Sequence, residues 1–315
     1  MMLTAFMTVF EQMFRILLLI GGGFLLRRLR LLPEGAEKVM SRLVTYLFLP
    51  AVLLHTNLLE CRILTLGENL PLALCGLIMA LVSIGAAVLI APCFARGDLY
   101  ERGLFRYAIA YPNTGGVGMP LILAMLGTKG LFQYNLFYFF ALIFNYSWGI
   151  MQLQPVEKRR GGADMLRRLA NPALIGLVLG MVLGVLGAGE WIPGIVLDTV
   201  GDLSDCYVPV SLLLVGYTVA GFPLGNVFRD ARAYTYSALR LLVLPVLTLV
   251  VLRLIGAPHI MSVMTALAFA CPCGMNTVLY PVSYGQDCQV GVSMVLVSSL
   301  LAVVTMPVVY ALTAL

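Results

Sequence analysis

The chain has 315 residues, of which 61% are hydrophobic and only 11% are charged, and its mean hydropathy is +0.97. Because a soluble domain carries about 25% charged residues, this composition excludes a soluble protein and indicates one that crosses a lipid bilayer several times. The net charge of +5 does not indicate nucleic-acid binding, since the basic residues lie in short segments between apolar stretches.

Ten apolar stretches have about the length of a membrane span, for which a helix needs about 20 residues. In chain order they are 4–26, 40–59, 70–94, 102–126, 130–153, 172–189, 195–221, 234–255, 260–283 and 290–314. We interpret the first stretch as a retained span, because no small-residue cleavage site follows it. The sequence therefore predicts an all-helical, polytopic membrane protein.

Basic residues are concentrated in alternate connections between these spans. They are Arg27, Arg28, Arg30, Lys38, Arg42, Arg96, Arg102, Arg106, Lys158, Arg159, Arg160, Arg167, Arg168, Arg229 and Arg232. The opposite connections carry mainly acidic residues. Because Lys and Arg mark the cytoplasmic side, we expect a multi-pass protein of the cell (inner) membrane with both termini extracellular or periplasmic.

The most polar connection, 154–170, is a predicted cytoplasmic linker that divides the chain into residues 1–153 and 171–315. Each half has five predicted spans. Because five is odd, a repeated second half must insert upside down, as in many secondary transporters. Weak similarity between "YLFLPAVLL" around Pro50 and "CYVPVSLLL" around Pro209 favours this inverted five-plus-five repeat.

The fourth predicted span of each half contains residues that interrupt a helix. The first reads "AYPNTGGVGMP" and the second "ACPCGMNTVLYP", so each has Ala-x-Pro, then glycine and Asn-Thr, then another proline. Proline removes a backbone donor and glycine accepts unusual dihedral angles. We therefore expect two discontinuous helices that cross at their breaks near the middle of the membrane. The predicted structural residues of this crossover are Pro112, Gly118, Pro120, Pro272, Gly274 and Pro281.

Each break leaves a helix N-terminus with unpaired N–H groups and a partial positive charge. Two such ends together favour a small anion without a buried Arg or Lys, and Asn and Thr side chains add donors and acceptors. The predicted substrate contacts are Asn113, Thr114, Gly115, Asn276 and Thr277.

Several motifs resemble the auxin efflux carrier family, which includes bacterial organic-acid permeases and the plant PIN carriers. The matching stretches are "NTGGVGMPL", "PCGMN" followed by "SYG", "NPALIGLVLG" and "VPVSLLLVG", and they lie in both halves. The resemblance implies a ten-span fold with a scaffold domain and a transporter domain, a homodimer and elevator-type alternating access. It implies carboxylate substrates such as malonate, malate or auxin-like acids, with Asn113 and Asn276 touching the substrate. The short central linker favours a prokaryotic metabolite permease over an auxin carrier.

Other functions remain as alternatives. A sodium- or proton-coupled exchanger or symporter of the related crossed-helix fold would place carboxylates beside the breaks, where this sequence has none, and a channel would need a continuous pore. An enzyme is not expected, because no Ser/His pair, aspartate pair or zinc motif lies within the spans. The seven cysteines and two histidines show no metal-ligand spacing, so we expect neither a metal nor a cofactor.

Three further residues have two interpretations each. Arg240 inside the eighth span is a candidate for coupling or gating, or it snorkels or forms a structural pair. His55 is a candidate for proton coupling or an interfacial residue. Asn145, in the aromatic fifth span, lines the substrate pocket or belongs to a packing and lipid-facing surface.

Overall fold

The computed structural model describes residues 2–158, 168–222 and 224–313. These residues form helices and no β-strand, apart from one isolated bridge between two residues. Part of the predicted linker, including Arg159, Arg160 and Arg167, lies outside the described residues. The prediction of an all-helical protein is confirmed for the described chain.

The first half contains seven helices, several of them joined by π-helical turns. They are α1 (Met2–Arg28), α2 (Ala36–Leu43), α3 (Leu49–Glu60), α4 (Ile63–Phe94), α5 (Leu99–Ala110), α6 (Met119–Phe144) and α7 (Ile150–Gln152). The π-helical turns are Val44–Phe48 between α2 and α3, Thr114–Gly118 before α6, and Asn145–Gly149 before α7.

The second half contains eight helices within the described residues. They are α8 (Pro172–Val185), α9 (Gly194–Asp205), α10 (Tyr207–Val219), α11 (Ala231–Ala238), α12 (Leu244–Leu254), α13 (His259–Ala270), α14 (Asn276–Ser283) and α15 (Gln289–Thr313). A π-helical turn, Leu239–Val243, joins α11 to α12.

Six helical stretches of the described chain are long and apolar enough to cross a membrane. They are Val9–Arg28, Ala36–Glu60, Ile63–Phe94, Thr114–Gln152, Ala231–Leu254 and Gln289–Thr313. Shorter apolar helices cover Pro172–Val185 and His259–Ala270. The chain is therefore a multi-pass membrane protein.

The ten predicted spans differ from these helices in several places, and one of the differences arises at a glycine. The end of the predicted stretch 102–126 and nearly all of the stretch 130–153 lie in one helical run, Thr114–Gln152, which has non-helical angles at Gly127 (φ 65°, ψ −166°). A straight helix of these 39 residues would extend about 58 Å, roughly twice the hydrocarbon core. Gly127 therefore separates two segments that join without a loop.

Glycines bring several helix pairs into close contact, as is common in membranes. A Cβ on Gly180 of α8 would lie 2.7 Å from the carbonyl oxygen of Leu54 in α3. A Cβ on Gly216 of α10 would lie 1.8 Å from the carbonyl oxygen of Ile20 in α1. In this way α3 packs on α8 and α1 packs on α10, so each pair joins one helix from each half.

A charged cluster joins the start of α11 to the start of α5. The Arg232 guanidinium forms ion pairs with Glu101 at 2.8 Å and Asp230 at 3.0 Å. Asp230 also accepts a hydrogen bond from the backbone N–H of Arg232 and so caps α11. Burial raises the pKa of Asp230, but the hydrogen bonds from Arg232 outweigh it and hold that pKa below its ordinary value.

Candidate functional site

The first helix break lies between α5 and α6. The helical conformation ends at Ala110 and resumes in the π-helical turn Thr114–Gly118. Asn113 caps this turn, because its side-chain Oδ1 accepts a hydrogen bond from the backbone N–H of Gly116 at 3.0 Å. The break is therefore stabilised by a side chain that belongs to the break itself.

The second break lies between α13 and α14. The backbone N–H of Cys273 donates to the Ser298 hydroxyl of α15 at 2.9 Å. The Thr277 hydroxyl donates to the carbonyl of Gly274 at 2.7 Å, and the Thr277 side chain is fully buried. Thr277, a predicted substrate contact, is thus placed to hold the loop and does not line the cavity described below.

The two breaks pair directly with each other. The N–H of Asn113 donates to the carbonyl of Pro272 at 2.8 Å, and Pro112 forms an antiparallel bridge with Cys273. A Cβ on Gly274 would lie only 3.2 Å from the carbonyl oxygen of Tyr111. Each break therefore satisfies backbone groups of the other, which a non-helical backbone at membrane depth requires.

The other predicted structural residues lie around this pairing. Pro120 is in the first turn of α6, and Pro281 is buried inside α14. A Cβ on Gly118 would lie 2.8 Å from the Tyr134 hydroxyl and 3.0 Å from the Cys271 sulfur. Gly118 therefore fills a position where a side chain would displace its neighbours.

A cavity of about 180 Å3 adjoins the paired breaks. Its lining includes four of the five predicted substrate contacts: Asn113, Thr114, Gly115 and Asn276. The further polar residues of the lining are Thr45, Tyr107, Tyr138, Asn145, Tyr146 and Tyr207. Within the described part of the chain, no Asp, Glu, His, Lys or Arg belongs to this lining. The cavity is polar but has no ionised side chain.

Tyrosines and an asparagine from other helices complete the cavity wall, and motif analysis missed the tyrosines. The Asn276 amide donates to the Tyr107 hydroxyl at 2.8 Å, which leaves the Tyr107 proton free for another acceptor. The Tyr207 hydroxyl donates to the Gly115 carbonyl at 2.8 Å. The Asn145 side chain is 8% exposed, and its buried Oδ1 has no hydrogen-bond partner among the described residues. Asn145 thus takes the pocket-lining position of its two interpretations.

A second cavity of about 320 Å3 adjoins the first and shares Thr45, Tyr146 and Asn276 with it. Its lining also includes Arg42, which is exposed near the end of α2. The route from the paired breaks therefore leads toward a connection rich in basic residues.

Arg240 lies on the other side of the breaks and is fully buried, with 1% exposure. Its guanidinium donates to the carbonyl of Ile109 at 3.0 Å and to the carbonyl of Ala268 at 3.3 Å. These carbonyls belong to the last turns of α5 and α13. One interpretation of Arg240 is that it snorkels to the membrane surface or forms a structural pair. Snorkelling is wrong, because the guanidinium is buried against the C-terminal ends of the two interrupted helices.

His55 lies outside the cavity. It is half-buried on α3, and a Cβ on Gly201 of α9 would lie 3.4 Å from its Nε2 atom. The structure therefore brings His55 to the contact between α3 and α9 and not to the breaks.

Comparison with known proteins gives two similarities that extend over nearly the whole chain. A family model described as "Membrane transport protein" matches residues 8–163 and 159–310. The chain is also 24% identical over 303 residues to a protein of Methanothermobacter thermautotrophicus named "Uncharacterized transporter". That alignment covers 96% of this chain and 97% of the relative.

Proposed function

The chain belongs to the membrane transport protein family, and on this premise we propose that it is a secondary transporter that carries small organic anions across the cell membrane. The family is one of transporters and not an enzyme class. The resemblance to auxin efflux carriers supports carboxylates such as malonate, malate or auxin-like acids as the proposed substrates.

The observation that carries the proposal is the cavity at the paired breaks. Helix starts have N–H groups without intrahelical acceptors and a partial positive charge. Gly115 and Asn276 bring two such starts to the cavity, whereas the N–H of the neighbouring Gly116 is already bound by Asn113. The free proton of the Tyr107 hydroxyl adds a directional donor. A carboxylate can accept hydrogen bonds from all of these groups, whereas a cation would be repelled by the partial positive charge of the two helix starts.

The size of the cavity favours small acids. Its volume of about 180 Å3 leaves room for several water molecules, each of which occupies about 30 Å3 in the liquid. Such a space suits an acid of a few carbon atoms. A larger acid would extend into the adjoining space beside Arg42.

The packing of the helices supports a ten-span inverted repeat. The first two predicted spans of each half pack crosswise, as α3 on α8 and α1 on α10, and each half contributes one break. An inverted repeat produces such reciprocal contacts. We therefore keep residues 1–153 and 171–315 as the proposed repeats.

The same packing supports an elevator-type movement. In this proposal α1–α3 and α8–α10 form the scaffold, and the remaining helices form the transporter domain with both breaks. Apolar side chains of both groups face each other around a cavity of about 50 Å3; they include Met13, Ile16, Ile20, Val215, Leu296 and Val303. Such a contact allows sliding, because few directional bonds must be broken.

Orientation and assembly are part of the same proposal. The basic connections face the cytoplasm and both termini face outward, so the opening beside Arg42 is the cytoplasmic entrance. The resemblance to auxin efflux carriers supports a homodimer formed through the scaffold. Mass measurement of the detergent-purified protein tests the homodimer.

Coupled exchange or symport is the second candidate function, followed by a channel. Within the described residues the cavity lining has no carboxylate, so a transported proton or Na⁺ has no acidic ligand there. A channel would give flux without saturation and without counterflow, which distinguishes it from a carrier.

The test uses the whole protein in proteoliposomes with monocarboxylates, dicarboxylates and their neutral amides. We expect saturable flux with counterflow for acids and a loss of at least tenfold in Asn276→Ala. Asn69→Ala is the matched control, because Asn69 lies on α4 outside the cavity. Normal flux in Asn276→Ala would show that the substrate site lies elsewhere in the protein. Absence of acid flux in the wild-type protein would contradict the proposed function.

A further inference from the structure

Arg240 is a buried charge that the proposed substrate contacts do not use. Its guanidinium is bound by backbone carbonyls and lies 5.1 Å from the centre of the Phe269 ring. Its Nε is buried without a partner, and no carboxylate of the described residues lies within ion-pair distance of it. Arginine keeps its charge in proteins, so one positive charge lies beside the breaks without a counter-ion among the residues that the structure describes.

The partial charges of the helix N-termini and C-termini cancel around the breaks. Two helix starts contribute about +0.5 each and two helix ends about −0.5 each. The starts lie at the cavity, and the ends lie at Arg240. The charge of Arg240 is therefore the net charge of the paired breaks.

Only one layer of residues separates this charge from the substrate cavity. Pro112, Thr114 and Tyr138 line both the substrate cavity and a small space of about 30 Å3 that Arg240 also lines. Charge interactions are weakly screened in such an interior. Because Arg240 binds the last turns of both α5 and α13, it must move with the breaks.

We propose that Arg240 is the fixed counter-charge of the transported anion, so that the paired breaks carry one positive charge when the cavity is empty and none when it holds one monocarboxylate. This inference rests on the proposed function and narrows it to singly charged acids, so that of the acids proposed above the monocarboxylates are favoured over the dicarboxylates malonate and malate. A dicarboxylate would leave a negative charge on the loaded domain, and a neutral amide would leave the positive charge unbalanced.

A consequence is that the membrane potential acts on the return of the empty domain. For one charge moved across the whole membrane, the equilibrium between its two positions changes up to about 50-fold per 100 mV. A negative interior draws the empty domain inward, where it is ready for another anion. The potential therefore drives net export, while the loaded step is electrically silent.

The decisive test compares two kinds of flux in wild-type proteoliposomes at defined potassium-diffusion potentials. Net efflux requires the empty return, whereas exchange with saturating substrate on both sides does not. For a monocarboxylate we expect net efflux to depend on the potential and exchange to be independent of it. For a dicarboxylate of similar length we expect at least tenfold weaker transport and exchange that depends on the potential.

The outcomes separate this inference from the proposed function. Monocarboxylate exchange that depends on the potential as strongly as net efflux would overturn the role of Arg240 but leave a carboxylate carrier. A preference for the dicarboxylate would do the same. Absence of saturable flux for every acid would overturn the proposed function itself.

Two substitutions at Arg240 sharpen the test. Arg240→Lys keeps the charge but cannot bind the carbonyls of Ile109 and Ala268 with two separate nitrogens of one planar group. We therefore expect slower transport with the wild-type dependence on potential. Arg240→Gln removes the charge, so we expect potential dependence to appear in exchange and to disappear from the empty return. A folded Gln variant with the wild-type pattern would contradict the proposal, and the wild-type comparison decides if that variant does not fold.

Discussion

The two helix breaks take part in one pairing but are stabilised in different ways. In the first break, Asn113 turns its side chain to its own helix and caps it. In the second, Asn276 reaches across to Tyr107 of α5, while Ser298 and Thr277 satisfy the loop. The two asparagines therefore have unequal roles although they lie in related motifs.

This difference teaches that similar motifs do not predict similar sensitivity to substitution. The first break depends on local geometry among Asn113 and its glycines. The second depends on a neighbouring helix, α15. Changes in the first should therefore affect the site and the fold together, whereas changes in the second should separate them.

The largest effect on transport is expected for Gly116→Ala in the first break. The added Cβ would lie 2.6 Å from Asn113 Oδ1 and must displace the amide that caps the turn. Loss of a cap costs about 1 kcal/mol, and the displaced amide also leaves the cavity. We expect at least tenfold lower flux and a lower melting temperature.

Gly115→Ala is the matched control for this substitution. Its Cβ would meet the end of the Tyr207 side chain at 3.1 Å, which can shift by a few tenths of an ångström. Equal losses in the two variants would show that the cap of Asn113 is not the sensitive feature.

The next effect is expected for Ser298→Ala in the second break. It leaves the buried N–H of Cys273 without an acceptor, which costs about 1–3 kcal/mol. We expect a lower midpoint of thermal unfolding. The variant that remains folded should keep its preference among acids, because Ser298 does not line the cavity.

Ser83→Ala is the comparison for Ser298→Ala. Ser83 donates to the carbonyl of Ala110 at 3.1 Å, and a carbonyl tolerates loss of one donor better than a buried N–H tolerates loss of its acceptor. A stability loss as large as that of Ser298→Ala would contradict this difference between the breaks.

A smaller effect is expected for Tyr107→Phe. The substitution removes the partner of the Asn276 amide and a donor from the cavity. A neutral hydrogen bond contributes about 0.5–1.5 kcal/mol, so we expect roughly two- to tenfold weaker apparent affinity in initial-rate measurements. The comparison variant is Tyr310→Phe, which lies on α15 away from the cavity, and its affinity should be unchanged.

The smallest effect is expected from pH. The described cavity lining of both breaks has no carboxylate or histidine, so flux of a strong acid should stay constant between about pH 6 and pH 8, where histidine titrates. A transition in that range for several acids would indicate proton coupling and contradict the anion-only carrier.

The cluster at Asp230 supplies the contrasting pH effect. Because its pKa is lowered on folding, Asp230 stabilises the folded state above its unfolded pKa of about 4. This contribution decreases as the pH falls through the folded pKa. Thermal unfolding at acidic pH should therefore differ less between the wild-type protein and Asp230→Asn than at neutral pH.

Local chemistry made the breaks predictable from the sequence. The effects of Pro112 and Pro272 on a helix depend on few neighbours, and helix starts have the same polarity in every protein. The family resemblance, confirmed by the match over both halves, came from the same motifs. The inverted ten-span arrangement remains a proposal supported by packing.

The remaining features depend on contacts between distant segments. Thr277 lies behind the cavity because of how α14 is rotated about its axis. Tyr107 and Tyr207 line the cavity because of how α5 and α10 pack against it. The acceptors of Arg240 are backbone carbonyls, which no residue type reveals. A sequence that shows a buried arginine therefore does not show its partners.

The pairing of Asn113 with Pro272 also bears on how the protein is made. The first break leaves the ribosome about 160 residues before its partner, a delay on the order of ten seconds at about 5–20 residues per second. During that time its backbone must be satisfied by water or by another protein, because hydrocarbon offers no donors or acceptors. Synthesis of the first half alone should therefore yield a chain that depends on membrane chaperones and is open to membrane proteases until the second break arrives.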